Sequence, residues 1–443
     1  MKDVQHTPET PGRGWANALL VCGWMVATTT TFAAEPPSRP AVDTPELAKL
    51  GNYSVGVRTL TLVDPHAVDV VAPLQDRKVV VDVWYPAQVR AGAPAELYRA
   101  SLQGEPPDPP VPFTVQGLAV RDARAVPGRY PLVVVSHGRS NVTIALSWLT
   151  ENLASKGYVV AAIRHEDPPR SNPAEGAEML MRRPLDIAFV ARTLQDSLQR
   201  EGLVDPQRTA LIGYSMGGYG VVVAAGAALD PTSVLNKVVP NGLLGPYTAG
   251  GAKQDDMHVR NLKAVVAIAP WGGSVNAWGT TGLEGIRAPL LLIAGDHDRT
   301  VDYATGARHM LDAATSTRRY LLTYLGGGHA LGLDPAPSEM RARVWDISWF
   351  EDPVWRKERI IGINLHMITA FLDRFVKGDE SRAAYLDNLE PESSTGRWQA
   401  PTGARFDAIS PGPPATNLWK GFQRDYAESL ELLQRAPAAG AGP

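Results

Sequence analysis

Ala210-Leu211-Ile212-Gly213-Tyr214-Ser215-Met216-Gly217-Gly218-Tyr219-Gly220 is a hydrophobic strand that turns sharply, through a serine, into a run of small residues suited to a helix. A Gly-x-Ser-x-Gly placed between strand and helix is the pattern of a nucleophile elbow, in which a strained turn projects the serine hydroxyl into a cleft. Gly213 and Gly217 leave room for the chain to turn and for strand and helix to pack closely. The same five residues in a loop would carry little information, because the chain holds 41 glycines in 443 residues. Here β-type residues precede Ser215 and the helix-like Val221 to Ala228 follows it. Ser215 is therefore the candidate nucleophile.

The surroundings of this turn alternate between strands and helices. Leu132 to Val135 reads as a continuous apolar strand, Ile144 to Lys156 as a helix ended by Gly157, and Val159 to Ile163 as the next strand. Pro184 to Leu198 carries Ile187, Val190, Ala191, Leu194 and Leu198 at helical spacing, and Thr209 to Ile212 leads into Ser215. Ala264 to Ala269, Leu290 to Ala294 and Tyr320 to Leu325 continue the strand series. Continuous apolar strands separated by helices predict an α/β fold with a mostly parallel central sheet covered on both faces. Val55 to Val63 and Lys78 to Tyr85, joined through Asp64 to Asp76, read as an antiparallel N-terminal strand pair. Arg90 to Val126 has no clear period and reads as an ordered surface excursion. Segments 230–261 and 331–358 interrupt the alternation where loops can hang over a cleft, which makes each a candidate lid or, equally, surface decoration.

With 43 Lys+Arg against 46 Asp+Glu, the formal net charge of -3 gives no reason to expect nucleic acid or an anionic membrane surface as partner. Lys2 and Arg13 precede an apolar stretch from Trp15 to Val26, and small and polar residues then lead to Thr31-Phe32-Ala33-Ala34. That layout predicts a secretory signal peptide over residues 1–34, cut after Ala33 or Ala34. Phe32 fits poorly three residues before a cut at Ala34, which favours the cut after Ala33. The apolar core is short for a bilayer span, so a retained anchor is the secondary reading, and nothing in the mature chain approaches transmembrane length. Cys22, the single cysteine, lies inside that core, and Val21 before it is not the small residue of a lipid-attachment site. The mature chain then has no disulfide and no thiol nucleophile, compatible with a periplasmic or secreted protein. Residues 35–50 read as a flexible Pro-rich leader and 51–430 as one α/β catalytic domain.

A serine hydroxyl needs a base to take its proton, and the base needs a carboxylate to hold its tautomer. The strand Leu290 to Ala294 runs into Gly295-Asp296-His297-Asp298, where Asp298 is the candidate acid, Asp296 the alternative and Asp302 a weaker third. The Asp-His-Asp cluster has no further ligand group at a telling spacing, so neither a metal nor an organic cofactor is expected. The loop Leu325-Gly326-Gly327-Gly328-His329-Ala330 supplies the candidate base His329, its glycines allowing close approach to the serine turn. His309 and His366 fall in helix-like stretches and read as structural. One oxyanion donor is expected from the backbone N–H of Met216 and the other from Arg139, in the loop Val135-Ser136-His137-Gly138-Arg139-Ser140. His137, before a glycine at this strand end, reads as a residue that organises the loop.

With these pieces placed, the chain resembles the serine esterases of the α/β-hydrolase superfamily over Tyr53 to Lys377. Val133-Val134-Val135-Ser136-His137-Gly138 and Gly157-Tyr158-Val159-Val160-Ala161-Ala162-Ile163-Arg164-His165 are similar to the platelet-activating-factor acetylhydrolase and predicted dienelactone hydrolase group. So are Val55-Gly56-Val57-Arg58-Thr59-Leu60 and Val83-Trp84-Tyr85-Pro86. The resemblance implies Ser215, Asp298 and His329 as triad with Arg139 and Met216 as oxyanion donors. Gly213-Tyr214-Ser215-Met216-Gly217-Gly218 and Ile268-Ala269-Pro270-Trp271 also resemble bacterial cutinases and polyester hydrolases. That second likeness implies that Trp271 lines the substrate cleft, the alternative being an aromatic packed at a strand end. The expectation is an exported serine carboxylic-ester hydrolase working through an acyl-enzyme on a small-molecule, lipid or polymer ester. Amide hydrolysis on the same triad and a non-catalytic binding role are the alternatives. Oligomeric state is not legible.

Overall fold

Val133 and Val135 pack into one side of the central sheet and Leu132 and Val134 into the other, and all four are fully buried. A strand that is apolar at every position needs cover on both faces, and the architecture supplies it. The computed structural model describes residues 43–67, 75–102, 109–167, 173–342, 344–395, 419–422 and 427–439. These all lie within the unit Glu35–Pro443. The signal-peptide segment 1–34 and the first part of the expected leader lie outside the described residues.

The strands are β1 (Ser54–Ala67), β2 (Gln75–Gln88), β3 (Leu97–Leu102), β4 (Val111–Gln116), β5 (Val120–Arg121), β6 (Arg124–Ala125) and β7 (Tyr130–Ser136). They continue as β8 (Val159–Arg164), β9 (Val204–Tyr214), β10 (Leu262–Ile268), β11 (Leu290–Gly295), β12 (Arg319–Tyr324) and β13 (Leu430–Arg435). The main sheet has 11 strands in the order β13-β12-β11-β10-β9-β7-β8-β2-β1-β5, with β6 beside β2. The run from β12 to β8 is parallel, β2 joins β8 and β1 antiparallel, and β13 closes the other edge antiparallel to β12. The antiparallel pair at the N-terminus is as expected, with longer strands.

The helices are α1 (Ser147–Ser155), α2 (Pro173–Arg200), α3 (Met216–Ala224), α4 (Val234–Val238), α5 (His309–Ala313), α6 (Val344–Ser348) and α7 (Lys357–Phe375). Helices α1 and α7 cover one face through Leu149, Leu153, Met367 and Phe371. Helices α2, α3 and α5 cover the other through Ile187, Leu194, Val222 and Leu311. Pro184 sits inside α2 and cannot donate to the carbonyl of Leu180, which accepts the Tyr219 hydroxyl of α3 at 2.8 Å instead. The chain leaves β7 for β8 on one side and returns to β9 on the other, so the crevice beyond the carboxyl ends of β7 and β9 is the topological switch point.

Three expectations need correction. The end of the leader is held: Glu46 N–H bonds the Gly421 carbonyl at 2.8 Å, Leu47 N–H bonds His366 Nδ1 at 3.1 Å, and Asp43 and Ala48 are buried. The fold continues past 430, because β13 begins at Leu430. Arg90 to Val126, read as an ordered surface excursion, carries β3 and β4, which pair into a separate two-stranded sheet. Segment 230–261 packs with Val259 N–H on the Ala224 carbonyl, at the end of α3 opposite Ser215, and buries Leu235, Leu244 and Met257. That is the place of a buttress, not of a lid.

Candidate active site

Ser215 ends β9 with φ 54° and ψ -115°, a backbone conformation that a residue with a Cβ rarely adopts. Hydrogen bonds fix it there: its N–H donates to the Ile268 carbonyl at 2.9 Å, and its carbonyl accepts from Trp271 N–H at 3.0 Å and Tyr219 N–H at 3.1 Å. The flanking glycines are sterically required. A Cβ on Gly213 would lie 2.2 Å from the Gly217 carbonyl oxygen, and one on Gly217 would lie 2.0 Å from that of Ser136. The Met216 N–H opens α3, where first-turn amides have no partner within the helix.

His329 bridges the other two candidate groups. Its Nε2 lies 3.0 Å from Ser215 Oγ and its Nδ1 2.7 Å from Asp298 Oδ2. With Nδ1–H donating its hydrogen bond to the carboxylate, Nε2 presents a lone pair to the hydroxyl. Asp298 is buried, and its other oxygen accepts the N–H groups of Thr300 at 2.8 Å and Val301 at 3.2 Å. Asp296 instead bonds His297 at 2.8 Å and Gly326 N–H at 2.6 Å, while Asp302 caps Thr305 N–H at 2.8 Å. Asp298 is the carboxylate that meets the imidazole.

The loop carrying His329 is braced by residues that sequence reading missed. Gly328 N–H donates to Asp352 Oδ2 at 2.7 Å, the buried Lys357 ammonium donates to the Ala330 carbonyl at 2.6 Å, and the Tyr214 hydroxyl donates to the His329 carbonyl at 3.0 Å. Burial pushes Lys357 down to about 8. Segment 331–358, expected as a lid, thus returns to brace the base. Its Gly332 carbonyl accepts Trp148 Nε1–H at 3.0 Å, and Asp334 accepts Ser147 N–H at 2.9 Å. Only the Gly-rich run before His329 signalled this loop; the bracing carboxylate and ammonium lie 23 and 28 positions later with no motif.

On the opposite side Gly138 lies against the serine turn, where a Cβ on it would be 3.4 Å from Ser215 Cβ. Arg139 follows it in the chain. Trp271 is half-buried, with its ring edge-on to Tyr219 at 5.7 Å and its N–H on the Ser215 carbonyl. The structure therefore brings Ser215, Asp298, His329, Met216, Arg139 and Trp271 to one sheet end. His366 lies apart and buried, with Nε2 3.0 Å from the Lys420 carbonyl, and His309 is exposed on α5. Among the described residues no group of three or more His, Cys, Asp or Glu is arranged to hold a metal ion.

A solved ferulic acid esterase from Streptomyces cinnamoneus superposes with a TM-score of 0.51 at 22% identity, covering 76% of this chain and 94% of that one. The chain has the α/β-hydrolase fold. Within it, a family model described as PET hydrolase-like matches residues 122–241, a stretch that holds Arg139 and Ser215 but ends before Asp298 and His329. The chain is also similar to Cutinase 2 of Thermobifida cellulosilytica, 26% identical over 204 residues, or 45% of this chain and 60% of the relative. Cutinase cut1 of Thermobifida fusca is 26% identical over 204 residues, 45% of this chain and 50% of its own length. The chain thus spans about half to three-fifths of these relatives, at 50% and 60%.

Proposed function

We propose that the protein is an exported serine carboxylic-ester hydrolase. The observation that carries this is the Asp298–His329–Ser215 chain of contacts at 2.7 and 3.0 Å. In this reading His329 takes the proton of Ser215 as Oγ attacks the ester carbonyl, and Asp298 stabilises the imidazolium. The N–H groups of Met216 and Arg139 hold the tetrahedral oxyanion. His329 then returns the proton to the leaving alcohol, and water, activated by the same imidazole, releases the acid from the acyl-enzyme. Every step uses groups of this chain, and none calls for a metal or cofactor. The similarity to cutinases and to the PET hydrolase-like family supports an ester as the substrate class. Half-buried Trp271, joined to the serine through its own N–H, supports an aromatic wall on the acyl side of the cleft.

The test is hydrolysis of p-nitrophenyl esters from acetate to palmitate by the mature chain and by Ser215→Ala. Serine-dependent turnover is expected, and folded protein without ester turnover would overturn the reading. Export is tested separately by N-terminal sequencing of the secreted product, expected to begin at Ala34 or Glu35; a product that retains Met1 would overturn it.

A further inference from the structure

A buried ionic network lies directly behind the loop that carries Arg139, and the mechanism above does not use it. Arg183, on α2 and 1% exposed at its side chain, donates through one guanidinium nitrogen to the His137 carbonyl and through the other to the Gly138 carbonyl at 3.3 Å. The second nitrogen also meets both oxygens of Asp167, at 2.7 and 2.5 Å. Asp167 Oδ2 in turn accepts Ser140 N–H at 2.7 Å. The same Gly138 carbonyl accepts His137 Nδ1–H at 2.7 Å and Asn141 N–H at 3.3 Å. His137 Nε2 accepts His165 N–H at 3.2 Å, and His165 Nε2 meets Ser136 Oγ at 2.9 Å. Burial and the nearby Arg183 charge push His137 down to about 4, so it stays a neutral ring with one donor and one acceptor nitrogen.

The consequence follows from peptide geometry. In a trans peptide the carbonyl and the next residue's N–H point in opposite directions. Three donors hold the Gly138 carbonyl on the network side, and Gly138 itself lies against Ser215. The Arg139 N–H of that peptide is therefore turned away from the network, toward the space beside the nucleophile. We propose that Arg183 and Asp167 are positioning residues that lock the peptide of the second oxyanion donor in its working orientation. The reading rests on the serine-hydrolase function above. A guanidinium suits the task because its planar fork spans two carbonyls and a carboxylate at once, which an ammonium cannot.

The experiment compares wild type, Arg183→Lys and Asp167→Asn for ester hydrolysis, for inhibition by butylboronic acid and for thermal unfolding. The boronate adduct on Ser215 is tetrahedral and places an oxygen where the oxyanion forms. For Arg183→Lys, kcat is expected to fall about 10²-fold with KM within about twofold, because an interaction made only in the transition state is lost. The boronate Ki is expected to rise by a similar factor, and the pH profile, set by His329, to keep its shape. A folded Arg183→Lys with wild-type kcat and boronate affinity would overturn the proposal. So would a kcat loss that leaves boronate affinity unchanged. Should the buried Lys variant not fold, Asp167→Asn decides, since the amide keeps the shape of the buried carboxylate while removing its charge, and Asp167 holds Ser140 N–H. It is expected to show the same pairing of kcat and Ki losses, and wild-type values in that variant would overturn the proposal. Absence of serine-dependent turnover in the wild type would overturn the underlying reading instead, and the positioning role with it.

Discussion

Ser215 occupies a conformation, φ 54° and ψ -115°, that costs a residue with a Cβ about 1–3 kcal/mol. The three backbone hydrogen bonds and the cramped glycines around it over-determine that geometry. Two substitutions separate chemistry from strain. Both Ser215→Ala and Ser215→Gly are expected to abolish ester turnover, but only Ser215→Gly relieves the strain, and in urea unfolding it should be about 1 kcal/mol more stable than Ser215→Ala. Equal stability would show that the turn stores no strain. At Asp298 the expected change is electronic. Asp298→Asn keeps an acceptor for Thr300 and Val301 N–H but loses the charge that holds the His329 tautomer, so kcat should fall about 10⁴-fold. Asp296→Asn, facing His297 and Gly326, should leave kcat within about threefold, as expected for a change outside the transition-state contacts.

Helix α7 and the segment before it carry the largest consequence at the scale of elements. Lys357, at the start of α7, is buried and holds the Ala330 carbonyl beside the base. Lys357→Met removes that donor and leaves Asp352 and Asp334 without a nearby cation, so a loss of about 1–3 kcal/mol of stability is expected by urea unfolding. A lower kcat should accompany it, and unchanged values of both would remove the bracing role. How much of this was legible in the sequence differs from element to element. The parallel strands were readable because each carries a continuous apolar run, and Ser215, Asp298 and His329 because each follows a strand or sits in a Gly-rich turn. Helix α3 was placed five residues late, since the glycines that pack the elbow mask its helical period. Helix α2 begins at Pro173, well before the periodic stretch, and the part ahead of that stretch carries Glu178, Arg182 and Arg183, charged residues that read as solvated surface in a sequence although Glu178 and Arg183 are buried in ion pairs. Arg183, Asp167, Asp352 and Lys357 had no signal at all. A buried charge is identified by the carbonyls around it, and those come from distant parts of the chain.

Among the described residues, the fully buried rings of His137, His366 and His165 are held neutral by burial. His137 is pushed down to about 4, His366 to about 3, and His165 well below its ordinary value. The unfolded chain takes up these protons near pH 6.5 and the folded chain does not, so their stabilisation is present above about 6.5 and is lost as pH falls toward about 4. Asp334 runs the other way: burial raises it to about 6, so its contribution is present below 3.8 and lost as pH rises through about 6. Burial raises Glu151 and Asp186 as well, but His258 and Asp167 are lowered like the three rings, so the groups that lose stabilisation in acid outnumber those that gain it. Urea unfolding is expected to show stability falling between pH 6.5 and 4.5, with a slope reduced by about one proton in His366→Gln; a flat profile would contradict the neutral burial of these rings. The last strand has a different kind of importance. Strand β12 is buried at all six positions, and β13 is the strand that pairs its outer edge, from Arg319 with Arg435 to Tyr324 with Leu430. A chain cut at residue 430 would keep every group of the catalytic cleft and expose that apolar edge as a template for a neighbouring molecule's backbone. Shortened forms are therefore expected to self-associate into insoluble particles while the intact chain stays dispersed, which makes the C-terminal six residues of β13 a guard of solubility.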